Sequence, residues 1–366
     1  MAMELPINPA LAQLPVYQPG RPLEDVAREF GLPVESLIKL ASNENPLGPS
    51  PMAMDAMRAA IAKSHLYPDG NAFLLKHKLS THLDCPPECL IFGNGSNEII
   101  ELVAHALIQP TDEVVVSEQC FAVYPIVTHL FGGSLVTVPA RKFGHDPDAM
   151  LKAITAKTKI VFIANPNNPT GTLVAASEIL RLIEHVPRNV LLVMDEAYIE
   201  FLDDPLDLLP IVLSGSHPNL ILMRTFSKIY GLAGLRVGYG IGHPDFIAML
   251  EKARQPFNLN SIAQAAATAA LDDVPHLECT RENNRIGLAF LQSEFASLQL
   301  EYIPSYANFV MVKIGDGVRV FQEMQRRGVI TRPMTAYHLP QWLRITVGTA
   351  AENNRCIAAL RSALGK

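Results

Sequence analysis

Between Leu90 and Ile241 the chain alternates short apolar, β-branched runs with helical patterns, and this rhythm restricts the fold more than any other feature. The runs are Leu90–Phe92, Glu113–Val116, Ser134–Val138, Lys159–Ala164, Val190–Met194, Leu220–Met223 and Val237–Ile241. Helical periodicity fills most of the gaps, at Ser96–Ile108, Phe121–Phe131, Pro147–Ile154 and Ala175–Val186. Strands that are apolar throughout and joined by helices form a mostly parallel sheet covered on both faces. The expected class is therefore α/β, with a large domain built on about seven strands.

Such a sheet predicts where chemistry sits, because ligands of open α/β sheets bind beyond the carboxyl ends of the strands. Four polar motifs fall there: GNGSNE after Phe92, NPNNPTG after Ala164, DEAY after Met194, and TFSK after Arg224. The last opens the stretch RTFSKIYGLAGLRVGYG, in which Lys228 follows a buried strand. Poor solvation there favours the neutral amine, the form that attacks an aldehyde. Taken alone, Lys228 reads first as a solvated loop lysine, and it is the flanking residues and the further motifs that reverse this.

Asp195 ends the run VLLVM, and a carboxylate at a buried strand end requires a cation or donors beside it. A protonated pyridine nitrogen is one such partner, and a capping role is another. Tyr198 lies within reach of the same ligand. In GNGSNE, Gly93 and Gly95 let backbone N–H groups approach an anion at a helix start, and Ser96 adds a hydroxyl. Ser227 and Arg236 supply further donors, arginine in the forked geometry that a phosphate accepts. The two prolines of NPNNPTG stiffen the loop that carries Asn168. A lysine, a strand-end aspartate, a phosphate cradle and an arginine together match pyridoxal 5′-phosphate (PLP).

At 366 residues the chain suits two domains around one cleft. After Gly242 helices dominate and short strands recur near Phe309–Ile314, Val329–Thr331 and Leu343–Val347, which predicts a smaller α/β C-terminal domain. The expected divisions are a proline-rich arm at 1–35, a large cofactor-binding domain at 36–255 and a small domain at 256–366. A net charge of −6 without long runs leaves no footprint for nucleic acid or acidic lipid. The five scattered cysteines do not read as a disulfide framework, and CPPEC lacks the second ligand pair of a zinc site. The N-terminus does not read as a signal peptide, and no run approaches the ~18 apolar residues of a membrane helix. A cytoplasmic protein is expected.

The order GSNE, NPNNPTG, DEAY, TFSK, GLRVGYG resembles that of the fold-type I PLP-dependent aminotransferases. With SNENPLGPS, YPDG, DEAYIEF and WLRITVGT added, the chain resembles the histidinol-phosphate aminotransferase family from Ser42 to Thr349. The resemblance implies that Lys228 bonds the cofactor aldehyde and that Asp195 pairs with its ring nitrogen. Asn168 and Tyr198 then contact the ring oxygen, Phe121 stacks on the ring, and Gly95, Ser96, Asn97, Ser227 and Arg236 take the phosphate. Tyr67 is implied to reach the cofactor of a neighbouring subunit, which makes a homodimer with shared active sites. For substrate, Arg344 matches the anion-holding arginine, Arg332 is a second anion ligand, Asn45 lies in a closing loop, and Tyr17 touches substrate across the dimer. The implied reaction moves an amino group between L-histidinol phosphate and 2-oxoglutarate. An aromatic or broad-specificity aminotransferase, a lyase such as threonine-phosphate decarboxylase, and a non-catalytic PLP-sensing module are the competing readings.

Overall fold

The computed structural model describes residues 7, 10, 11, 14 and 20–366. A first short strand, β1 (Ile38–Lys39), precedes the seven strands of the central sheet. These are β2 (Leu90–Gly93), β3 (Glu113–Ser117), β4 (Ser134–Val138), β5 (Thr158–Ala164), β6 (Leu191–Asp195), β7 (Leu220–Thr225) and β8 (Gly238–Gly242). Their spatial order is β2-β8-β7-β6-β5-β3-β4. All neighbours run parallel except β8, which is antiparallel to both β2 and β7.

Side chains of the middle strands alternate between two separate cores, as the period of two requires. Val161, Ile163, Leu192 and Met194 face one, whereas Ile160, Phe162, Leu191 and Val193 face the other. Helix Ser96–Leu107 covers the second face through Ile99, Ile100 and Val103. Helix Ala176–His185 covers the first through Ile179 and Leu182. Both faces are dry, and the expectation of a covered, mostly parallel sheet of about seven strands holds.

Beyond the sheet lie β9 (Tyr302–Ile303), β10 (Phe309–Lys313), β11 (Val329–Ile330), β12 (Arg332–Pro333) and β13 (Trp342–Thr346). Four of them form an antiparallel sheet in the order β12-β13-β10-β9, and β1 pairs in parallel with β11. Helices Val274–Ser297 and Ala350–Leu364 pack on it through Leu291, Phe295, Cys356 and Leu360. Thr349 caps the last helix with a reciprocal bond pair to Glu352.

Packing ties residues at both margins of the large domain to particular cores. Val26 and Ala27 of helix Leu23–Phe30 pack with Leu37, Ala41 and Ile330, and β1 pairs with β11, so residues 23–41 join the C-terminal unit. Conversely, Ala263, Ala266 and Ala267 of helix Ser261–Ala270 belong to the large core. That helix carries only small apolar side chains on its buried face, which lets it lie close to helix Pro51–Ile61. The long helix Val274–Ser297 that follows packs on the smaller sheet through Leu288, Leu291 and Phe295. Strands β9 and β12 and helix Leu209–Leu213 were not anticipated, being too short to show a period.

Two glycines let the loops converge at the ends of the strands. A Cβ on Gly238 would sit 2.4 Å from the Ser96 backbone nitrogen, so β8 admits the first turn of helix Ser96–Leu107 only because it is bare there. Gly231, at φ +69°, brings the loop after Lys228 against the backbone of Gly48, where a Cβ would meet the carbonyl oxygen at 2.1 Å. Gly231→Ala is expected to cost about 3 kcal/mol of stability, read as a lower urea midpoint with an unchanged slope.

Candidate active site

The carboxyl ends of β5, β6 and β7 open into a cavity of about 320 Å³, closed on its far side by β12 and β13. Eleven residues singled out in the sequence line it together: Ser96, Asn97, Phe121, Asn168, Asp195, Tyr198, Ser227, Lys228, Arg236, Arg332 and Arg344. Residues 248 positions apart in the chain, Ser96 and Arg344, thus share one space.

One end of the cavity is an anion cradle. Gly95, at φ +77°, caps helix Ser96–Leu107, and a Cβ on it would lie 2.3 Å from Arg236 Nη2. The guanidinium therefore rests directly over the helix N-terminus and also donates to Ser227 Oγ (3.4 Å) and Ala233 O (3.1 Å). A helix start, a guanidinium and two hydroxyls, Ser96 and Ser227, favour a phosphate dianion.

At the back sits Asp195, buried, accepting a hydrogen bond from Tyr124 Oη (2.6 Å) and one from the Ala197 N–H (3.1 Å). Burial raises its pKa, opposed by these two bonds and by the charge of Lys228. Lys228 Nζ lies 5.6 Å from the centre of the Tyr198 ring. Its pKa is lowered to about 8, by burial first and then by Arg344, with Glu44 pulling the other way. An amine poised near neutrality and a buried acid thus face one another across a space bounded by Phe121. This donor set fits a phosphorylated heteroaromatic group: cradle for the phosphate, acid for a ring nitrogen, amine for a carbonyl.

The wall between them is hydrogen-bonded throughout. The Tyr198 hydroxyl oxygen accepts from Asn43 Nδ2 (2.9 Å) and Asn168 Nδ2 (3.3 Å). Asn168 Oδ1 accepts in turn from Arg344 Nη1 (2.7 Å). Arg344 also donates to Ala41 O (3.0 Å) and lies 5.1 Å from the centre of the Phe309 ring. Arg332 is the ladder partner of Arg344, so two guanidinium groups from adjacent strands enter the same cavity.

Two expected residues, Asn45 and Tyr67, do not line this cavity. Asn45 donates to Ile229 O (2.9 Å) and Thr280 Oγ1 (3.2 Å) and accepts from the Leu47 N–H, which fixes its loop and turns it away from the cavity. Its neighbour Asn43 is the asparagine that lines the site. Tyr67 is 84% exposed and stacks on Phe257 at 4.9 Å, outside this chain's own cavity. Tyr17 lies outside the described residues.

The sequence reading missed several contributors. Tyr124 reads as one more apolar position of a helix, and its spacing of three from Phe121 was the available signal. Glu44 sits inside SNEN, between two asparagines that drew attention instead. His145 is buried, with Nε2 at 3.1 Å from Ala164 O and 3.2 Å from Ala164 N, closing the end of β5 just before NPNNPTG. Burial pushes its pKa down to about 4, so the ring is neutral.

The profile of aminotransferases of class I and II matches residues 35–360. The chain belongs to the class I and II aminotransferase family. Among its relatives, histidinol-phosphate aminotransferase of Akkermansia muciniphila is 49% identical over 365 residues, covering 100% of both chains. Histidinol-phosphate aminotransferase 1 of Nitrosococcus oceani is 49% identical, covering 95% of this chain and 94% of that one. The crystal structure of histidinol-phosphate aminotransferase from Sinorhizobium meliloti in complex with pyridoxal 5′-phosphate superposes with a TM-score of 0.90. It is 29% identical over 100% of this chain and 98% of that one.

For this aminotransferase the Tyr124–Asp195 bond predicts a pH-dependent loss. An aspartate whose folded pKa is raised above its ordinary value of 3.8 destabilises the fold progressively as pH rises through that interval. Tyr124→Phe removes a donor to the ionised form and extends the interval upward. On cofactor-free protein the substitution is expected to cost about 2 kcal/mol near neutrality and markedly less below pH ~4, measured by urea unfolding across pH.

Proposed function

We propose that the protein is an L-histidinol-phosphate:2-oxoglutarate aminotransferase that uses pyridoxal 5′-phosphate and yields imidazole acetol phosphate and L-glutamate. The observation that carries this reading is one cavity with an amine of lowered pKa and a buried acid. An anion cradle lies at one end of that cavity and two arginines lie at its outer wall. The relatives of the same name, matched end to end, support the choice of substrate.

When bound, the cofactor supplies an aldehyde for imine formation and a ring that withdraws electrons from the substrate Cα. The chain does the rest. Gly95, Ser96, Asn97, Ser227 and Arg236 hold the phosphate, and Phe121 lies on the ring face. Asp195, held by Tyr124 and the Ala197 N–H, keeps a proton on the ring nitrogen. Asn168 and Tyr198 orient the ring oxygen. Lys228, whose amine shares the cavity, would take the Cα proton and return it one atom along. Arg344 and Arg332 receive the anionic end of either substrate, a phosphate monoester or a carboxylate, since the guanidinium fork suits both.

The reading includes a homodimer. Met52, Leu66, Tyr67 and Leu74 expose their side chains around one apolar groove on helices Pro51–Ile61 and Phe73–Leu83. A second copy seated there would bury this patch and carry Tyr67 toward the partner's phosphate cradle. It also places the enzyme in the cytoplasm, a compartment that suits the five free thiols.

Two outcomes test the assignment. In single turnover, histidinol phosphate is expected to convert bound cofactor to its amine form without release of carbon dioxide, faster than phenylalanine or threonine phosphate does. Carbon dioxide release would select the decarboxylase instead. Lys228→Ala is expected to lower kcat about 10³-fold or more. Because only the neutral amine attacks an aldehyde, cofactor uptake by cofactor-free enzyme is expected to accelerate up to pH about 8 and then level. An acceleration that continues toward pH ~10 would assign the attack to an ordinary lysine.

A further inference from the structure

The cavity that receives both substrates is lined by four cationic side chains, Lys228, Arg236, Arg332 and Arg344, and by two carboxylates. One carboxylate, Asp195, is at the back, engaged with Tyr124 and the Ala197 N–H. The other is Glu44, at the mouth, with its side chain 42% exposed. Among the described residues, Glu44 is thus the carboxylate at the mouth of the cavity.

Glu44 is also held in position. The residue before it is fixed by Asn43 Nδ2 donating to Tyr198 Oη, by the Asn43 N–H donating to Thr346 Oγ1 (3.0 Å), and by Asn308 Nδ2 donating to Asn43 O (3.0 Å). The residue after it is fixed by the two bonds of Asn45 to Ile229 O and Thr280. Lys39 Nζ donates to Glu44 Oε1 at 2.8 Å, and both side chains stay partly exposed. A negative group clamped on both sides at the mouth of a cationic cavity is pre-organised for a ligand's N–H.

We propose that Glu44 is a specificity-determining residue that accepts a hydrogen bond from the imidazole N–H of the amino donor. The assignment rests on the functional reading above and adds a division of labour to it. Both substrates present an anion to the arginines, but only one carries a heteroaromatic N–H, and glutamate offers no donor at that point. A carboxylate at the mouth favours the first and repels a second carboxylate, so one group separates the two half-reactions. A site built to accept a hydrogen bond rejects a ligand that lacks the donor more strongly than an apolar site would.

The test compares kcat/KM for histidinol phosphate with that for the phenyl analogue, phenylalaninol phosphate, on the PLP-loaded enzyme. Wild type is expected to prefer the imidazole donor. Glu44→Leu is expected to reduce that preference about tenfold while leaving the half-reaction with glutamate within about twofold or faster. Glu44→Gln, which keeps the shape and loses the charge, is expected to move the ratio the same way by less. Lys39→Met removes the ion pair but not the carboxylate, and is expected to leave the ratio unchanged. An unchanged ratio in both Glu44 variants, an equal loss with both amino donors, or a Lys39→Met effect matching Glu44→Leu overturns the assignment while the functional reading stands. A wild-type enzyme without preference for imidazole over phenyl overturns both.

Discussion

A carboxylate at the end of a buried strand is the constraint around which the rest of the molecule is arranged. Asp195 lies at the carboxyl end of β6, with β5 and β7 on either side, where bulk water cannot solvate it. Its charge is tolerable only with donors brought to it. Tyr124 reaches it from helix Val123–Leu130, on the face of the sheet that the second core fills, and stacks on Phe162 with ring centres 4.3 Å apart. The same helix neighbourhood supplies Phe121, edge-on to Tyr124 at 5.7 Å. The element that stabilises the acid therefore also positions the ring that bounds the cavity in front of it.

The residue after Asp195 obeys the opposite rule because strands alternate faces. Glu196 points away from the cavity and binds Arg224 (2.8 Å), with both side chains nearly buried. Burial raises the pKa of Glu196, and Arg224 opposes it. Close by, burial lifts Glu200 to about 7, and Arg281 Nε donates to its backbone carbonyl (2.9 Å). DEAYIE thus splits its charges between chemistry and construction, with Asp195 and Tyr198 on the site and Glu196 on an ion pair that ties β6 to β7. Removing one partner of such a pair leaves an uncompensated buried charge, which is why it serves register more than net stability.

The legible parts of the sequence were those with a period or a punctuated loop. Apolar alternation disclosed all seven central strands, and motifs after four strands disclosed most of the cavity wall, because a parallel sheet puts successive strand ends side by side. Tyr124 stayed hidden since a helix face shows only that it is apolar, not that its hydroxyl meets Asp195. Asn43 and Asn45 differ in nothing local. Their fates separate only when Tyr198 and Thr280 arrive from 155 and 235 residues away. The core that helix Ser261–Ala270 fills was hidden for a related reason, as Ala263, Ala266 and Ala267 carry too little apolar area to declare it.

Those distant partners also explain how two folding units hold one reactive geometry. Residues 41–48 run between them and are fastened to each. Arg344 binds Ala41 O, Thr346 accepts from the Asn43 N–H, and Asn308 binds Asn43 O, all from the smaller sheet. Asn45 binds Ile229 O, one residue past Lys228, and bare Gly231 seats Gly48 beside the same loop. Lys228 and Arg344 therefore both register against one short segment, in addition to the direct bond from Arg344 to Asn168. A shift of the smaller sheet is felt at residues 41–48 and also at the direct bond from Arg344 to Asn168. Placing Glu44 in the middle of that segment gives a carboxylate at the mouth the same positional discipline as Lys228.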